Sequence, residues 1–247
     1  MIAALRLAIS WLTVLPVRGP QTVDRTTAAG AIAAAPLVGA LLGAGASGLL
    51  WVLCWAGASS ALAALVTVGA LVLATRGMHI DGLADTADGL GSYGPPERAR
   101  EIMKSGGAGP FGVAAVIFAI GIQALALAAL ADAGDWFAVA LAVTVGRVAV
   151  VAACRSHPAA PGAGFGALVA ATQTWVPVVV WIALAVGAGV FAAPRPWLGP
   201  LAVVAALGLA AALVRHCVRR FEGLGGDVLG AAVELGVATA AAVLSLS

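Results

Sequence analysis

Charge is what this 247-residue chain has least of. Lys and Arg number 13, Asp and Glu 11, and together they make up 10% of the sequence, against 62% hydrophobic residues. Ordinary soluble domains carry about 25% charged residues. A chain this apolar, with a mean hydropathy of +1.06, cannot cover a surface facing water, so it reads as an integral membrane protein. Cysteine is also scarce. Cys54, Cys154 and Cys217 lie far apart with no CxxC pair, which excludes a zinc ribbon or a disulfide framework and leaves three small buried hydrophobes. No small-residue cleavage site follows the first apolar stretch, so no cleavable signal peptide is expected. The net charge of +2 gives no reason to expect a nucleic-acid partner.

What is present is a series of apolar runs of a length suited to crossing a bilayer, about 20 residues each. They fall at residues 28–56, 61–75, 111–131, 136–154, 174–192, 198–214 and 228–246, with a shorter segment at 1–17 that lies in the interface or re-enters. The expected fold is therefore all-α: a polytopic bundle of about seven transmembrane helices forming one membrane-embedded catalytic domain over 1–247. Lys and Arg stay on the cytoplasmic side. With the N-terminus inside, Arg195 alone of the 13 basic residues lies outside. That arrangement brings the polar stretches 76–110, 147–166 and 215–227 together at the cytoplasmic face.

The few charges are also clustered. Residues 79–89 read His-Ile-Asp-Gly-Leu-Ala-Asp-Thr-Ala-Asp-Gly, so Asp81, Asp85 and Asp88 stand at i, i+4 and i+7. At about 100° per residue, Asp81 and Asp88 differ by only about 20° in direction on a helix. Three carboxylates on one face beside an apolar span point to a divalent cation, and magnesium combines a few carboxylates with water and phosphate oxygens. The plainer reading is a solvated helix face. A second acidic pair, Asp227 and Glu234, is also seven residues apart. Glu234 lies two turns inside an apolar run, where a lone carboxylate costs several kcal/mol. It must meet a cation, a polar ligand or a hydrogen bond from another helix.

Four further residues are candidates for binding substrate. Arg100 and Lys104 follow Pro95-Pro96 on a short amphipathic helix, either to hold phosphates or simply as solvated charge. His79 precedes the acids, about 200° from Asp81 on a continuous helix. Arg147 lies inside the fourth run, where it either pairs with an anion or snorkels to the interface. The glycine-rich bend Ser105-Gly-Gly-Ala-Gly-Pro-Phe-Gly112 can offer backbone N–H groups to an anion.

The string from Thr75 to Gly89, with Glu101-Ile-Met-Lys104, Gly109-Pro-Phe-Gly112 and the run from Gly226 to Gly236, resembles the cobalamin synthase (adenosylcobinamide-GDP ribazoletransferase) family. Trp11-Leu-Thr-Val-Leu-Pro-Val17 and Pro36-Leu-Val-Gly39 fit its opening pattern. The resemblance implies a Mg²⁺-dependent transferase of the bacterial cytoplasmic (inner) membrane, its active site facing the cytoplasm. Such an enzyme joins adenosylcobinamide-GDP to α-ribazole or α-ribazole 5′-phosphate and releases GMP. It also implies that Asp81, Asp85 and Asp88 are catalytic and, with Asp227 and Glu234, metal-binding, and it leaves room for a homo-oligomer. After Lys104 the family often reads Asp-Ser-Arg, where this chain has Ser105-Gly106-Gly107, so no site residue is carried onto 105–107. Two other readings stand beside it. One is a membrane phosphotransferase using CDP-alcohols, whose Asp-x-x-Asp-Gly-x-x-Ala-Arg arrangement is absent here. The other is an ion-coupled transporter, which would set its key charges near the bilayer midplane.

Overall fold

The computed structural model describes residues 2–246, which form eleven helices and no strand. In chain order they are α1 (Ile2–Leu12), α2 (Arg25–Trp55), α3 (Ser60–Ala74), α4 (Met78–Gly91), α5 (Pro96–Met103), α6 (Pro110–Ala133), α7 (Trp136–Ala153), α8 (Gly164–Val169), α9 (Trp175–Gly189), α10 (Leu198–Phe221) and α11 (Gly226–Leu244). Five of them, α2, α6, α7, α10 and α11, are long and apolar enough to cross a membrane alone. The other two expected spans are shorter. The second is α3, which joins α4 across a 90° bend, and the fifth is the 15-residue α9. The all-α polytopic bundle is thus observed among the described residues, with five helices long enough to cross alone, six spans if the bent pair counts as one, and two shorter apolar helices, α1 and α9.

Helix ends follow local chemistry. Asp24 caps α2 by accepting the Thr27 N–H at 2.7 Å. That bond favours the ionised carboxylate and holds it below its ordinary range. Gly134, at φ 75°, closes α6 in the left-handed conformation and leads straight into α7. The bend between α3 and α4 places Arg76 (φ 57°) and Gly77 (φ 70°) in the same region. Arg76 is not β-branched, and its guanidinium is held by the carbonyls of Ser10 and Thr13, the latter at 2.8 Å. These bonds to the last turn of α1 and the residue after it help hold a conformation that non-glycine residues rarely adopt.

Two helices occupy the middle: α7 and α11 are 72% buried over their apolar windows, against 33% for α2, α6 and α10. Small residues let their backbones approach closely, as membrane helices require in the absence of a hydrophobic drive between them. Gly43 of α2 lies on the backbone of Ala140 in α7, and Gly146 of α7 on Val233 of α11. The outer faces expose Leu73, Phe118, Leu125, Val176 and Phe191, a surface suited to lipid.

The structure corrects one boundary. The expected loop at 215–227 is helical as far as Phe221, so Arg215, Arg219 and Arg220 extend α10 rather than follow it. Arginine is a good helix former, and the apolar run ends before the helix does. Beyond α10 the chain joins the 154–174 segment: Leu224 donates to Pro158 at 2.8 Å and Ala160 to Leu224 at 3.1 Å.

Candidate functional site

Three polar segments meet at one end of the bundle, as the charge pattern leads one to expect. Arg100 of α5 reaches Glu222 at 2.5 Å and the Phe221 carbonyl at 3.0 Å, tying α5 to the end of α10. Lys104 approaches the Gly162 carbonyl at 3.5 Å. Arg25 binds the carbonyls of Ala167 and Ala170. His157 in the same region is held below the ordinary histidine range, first by partial burial and then by Arg215 and Arg155.

At the centre of this end, α4 crosses α11. Gly82 rests on Asp227, where an added methyl would sit 2.8 Å from the Asp227 carbonyl oxygen, and Gly230 rests on His79 in the same way at 3.1–3.2 Å. This close crossing sets Asp81 of α4 beside Asp227 in the first turn of α11. The two carboxylates repel each other, and Asp85 feels Asp81, Asp227 and Asp88 in turn. Among the described residues, no side-chain hydrogen bond or ion pair reaches Asp81, Asp85 or Asp227. Lys104 supplies the opposing attraction on Asp227.

Two cavities meet at Asp227, sharing Phe165, Gly226 and Asp227 in their walls. The outer one, about 210 Å³, carries Arg100, Lys104 and the glycine-rich 162–166 segment. The inner one, about 320 Å³, carries His79, Asp81 and Arg147 among apolar side chains that include Trp11. Trp11 and Phe165 meet edge to face with ring centroids 5.0 Å apart.

Two of the expected acids are placed elsewhere. Asp88 is buried and points to the start of α6, accepting the Gly109 N–H at 2.6 Å and the Gly112 N–H at 2.9 Å. The glycine-rich bend therefore does bind an anion, and that anion is the chain's own carboxylate. Pro110 has no N–H to offer, and Asp88 acts for α6 as an N-cap side chain supplied from another helix. A methyl on Gly109 would lie 2.6 Å from an Asp88 oxygen, and one on Gly112 closer still. Glu234 accepts from Gln123 of α6 at 2.7 Å and is attracted by Arg147 from inside the bundle. Among the described residues, no three His, Cys, Asp or Glu side chains form a group that could hold a metal ion by themselves.

Sequence reasoning passed over Gln123, Glu222 and Phe165. Gln123 carried a readable signal, being the lone amide in the apolar run of α6. Glu222 and Phe165 gave none, because each matters through a contact made from a distant part of the chain.

A helical membrane bundle with uncommitted carboxylates beside cations at one end defines the class: a polytopic membrane protein with a polar site at the rim of its spans. The cobalamin-5-phosphate synthase family model matches residues 4–245. A protein from Corynebacterium efficiens named adenosylcobinamide-GDP ribazoletransferase is 39% identical over 242 residues, covering 95% of this chain and 88% of its own. One of the same name from Nocardioides sp. is 42% identical over 241 residues and 95% of each chain. A third, from Corynebacterium diphtheriae, is 36% identical over 97% of this chain and 90% of its own. No solved structure matches. The chain belongs to the cobalamin-5-phosphate synthase family, and it is a transferase of cobalamin biosynthesis.

Proposed function

We propose that the enzyme joins adenosylcobinamide-GDP to α-ribazole or its 5′-phosphate, releases GMP, and uses magnesium. We place this chemistry at the cytoplasmic face of a bacterial inner membrane, with the N-terminus inside. The distribution of Lys and Arg supports that orientation, and the family membership supports the substrates.

The observation that carries the reading is the pair Asp81 and Asp227, both lining the inner cavity, with Asp227 lining the outer one as well. Repelling carboxylates without hydrogen-bonding partners are costly unless a cation joins them. Magnesium takes one or two carboxylates and completes its shell with water and phosphate oxygens, so a group smaller than three fits it. Asp81 and Asp227, with Asp85 alongside, are the residues that would hold the ion. Asp88 and Glu234 fit less well, since Asp88 has both oxygens committed and Glu234 is engaged by Gln123. When bound, magnesium supplies charge neutralisation for the diphosphate and the departing phosphate.

The chain's own residues do the rest. Arg100 and Lys104 draw the anionic diphosphate to the outer cavity, where the first turn of α11 presents unpaired backbone N–H groups. A carboxylate oxygen of Asp81 or Asp227 takes the proton from the attacking ribose hydroxyl. The new bond forms to the phosphorus that carries the cobinamide side chain, and the bond to GMP breaks. The apolar walls of the inner cavity keep the acceptor hydroxyl in place and limit competing water.

The test is direct. Purified protein in detergent, given adenosylcobinamide-GDP, α-ribazole 5′-phosphate and Mg²⁺, should release GMP in step with corrinoid product and stop when the metal is chelated. Turnover undiminished by chelation would remove the metal from the account. No GMP with either acceptor would remove the reaction.

A further inference from the structure

Arg147 stands out among the cations of this chain. It is buried, at 4% exposure, in the middle of the bundle. One of its terminal nitrogens donates to the Val143 carbonyl at 3.2 Å, and the other lies 3.4 Å from His79 Nδ1. Its Nε–H meets no acceptor among the described residues. Nor does it form an ion pair among them; Glu234 attracts it but is bonded to Gln123 instead. A guanidinium has five N–H donors and no route to neutrality, so a sealed arginine with spare donors calls for an anion.

That arginine lines the inner cavity, whose wall is mixed in character. Arg147 and His79 line it, as do Asp81 and Asp227, among apolar side chains that include Leu12, Ile32 and Leu229. At about 320 Å³ the space falls at the small end of ligand sites, about 300–1,000 Å³. A corrin macrocycle does not fit, whereas a nucleotide-sized heteroaromatic does. Trp11 and Phe165 stand in the wall where a flat base would lie against aromatic edges.

We infer that the inner cavity seats the acceptor nucleoside and that Arg147 anchors its 5′-phosphate, making this residue the one that distinguishes the phosphorylated from the unphosphorylated acceptor. The inference rests on the transferase reading above and goes further in naming the residue that reads the acceptor's 5′-phosphate. The base lies along the apolar wall near Trp11 and Phe165. The 5′-phosphate takes up the spare guanidinium donors, with His79 beside it, and the ribose hydroxyl faces Asp81 and Asp227. The donor's diphosphate stays in the outer cavity, and its bulky corrin remains outside both.

The test compares kcat/KM for α-ribazole 5′-phosphate and for α-ribazole, both measured by GMP release, in the intact protein and in Arg147→Gln and Arg147→Lys. Intact protein should favour the phosphorylated acceptor by about tenfold or more, the scale of a hydrogen bond to a charged group. In Arg147→Gln that ratio should fall toward one, whatever happens to absolute turnover, while Arg147→Lys should keep part of it. Equilibrium dialysis of each acceptor without donor should show the same ordering. A ratio near one in the intact protein would overturn the inference, with no variant needed. A folded Arg147→Gln or Arg147→Lys that kept the full ratio would overturn it too. GMP release with either acceptor keeps the transferase reading standing whichever way the ratio falls, so the two failures are distinguishable.

Discussion

Two helices begin at the same end of this bundle, and each has a carboxylate at its first turn. At α6 the carboxylate is Asp88, contributed by α4, and it satisfies the Gly109 and Gly112 N–H groups in a space too small for a methyl. At α11 the carboxylate is Asp227, on the helix itself, with no side-chain hydrogen bond among the described residues, a repelling neighbour in Asp81, and a place in the walls of both cavities. The first is closed by the protein alone, and the second is left to be completed by a ligand. Asp81 and Asp88 share one helix face, yet they serve these two ends differently. A carboxylate's role is decided by what the facing helix offers it, and spacing along its own helix does not reveal that.

The sharpest way to break this contrast is to neutralise the open end. Asp81→Asn or Asp227→Asn should lower GMP release by at least about a hundredfold, the scale of losing several kcal/mol of transition-state stabilisation. Circular dichroism and thermal unfolding in detergent should stay near those of the parent. Full turnover in either folded variant would refute the assignment. The closed end should respond in the opposite sense. Asp88→Asn leaves at least one of two N–H groups poorly paired, so stability should fall by about 1–3 kcal/mol, seen as a lower unfolding temperature, while the magnesium concentration for half-maximal activity stays put. An unchanged unfolding temperature would contradict the capping role.

The crossing that sets up the open end gives a third test. Gly82→Ala pushes a methyl toward the Asp227 backbone and should cost about 1–3 kcal/mol through overpacking. Activity should fall with it, because the same shift separates Asp81 from Asp227; lost stability with unchanged kcat would detach the crossing from the chemistry. Smaller effects come from farther away. Glu234→Gln should reduce turnover moderately, since an amide can still bond Gln123 but no longer attracts Arg147. Glu97→Gln, on an exposed residue paired with Arg100 at 3.4 Å, should change stability by less than about 1 kcal/mol and reduce turnover less than Glu234→Gln does. Equal losses from these two would demote the interior pair.

Much of this was legible in the residues. Apolar run lengths located the spans, and the one-sided distribution of Lys and Arg grouped the polar segments that the structure brings together. The spacing of Asp81, Asp85 and Asp88 correctly placed three acids on one helical face. What could not be read were the partners. Nothing in α4 announces that the Gly109 and Gly112 N–H groups await Asp88, because that contact depends on how α4 packs on α6. Arg100 and Glu222 are likewise 122 residues apart and meet only once α5 docks on α10. The end of α10 was missed because hydropathy reports where lipid stops, while helix propensity carried the helix on through Arg215, Arg219 and Arg220.

The most direct measurement is metal binding without turnover. Mn²⁺, a paramagnetic stand-in for Mg²⁺, can be titrated into the purified protein and its Asp81→Asn, Asp227→Asn and Asp88→Asn variants, with bound ion followed by electron paramagnetic resonance in the presence of the GDP-bearing substrate. The account predicts that bound Mn²⁺ is lost in the first two and kept in the third, provided that the third is folded. Loss confined to folded Asp88→Asn, with Asp81→Asn and Asp227→Asn binding as the parent does, would contradict it.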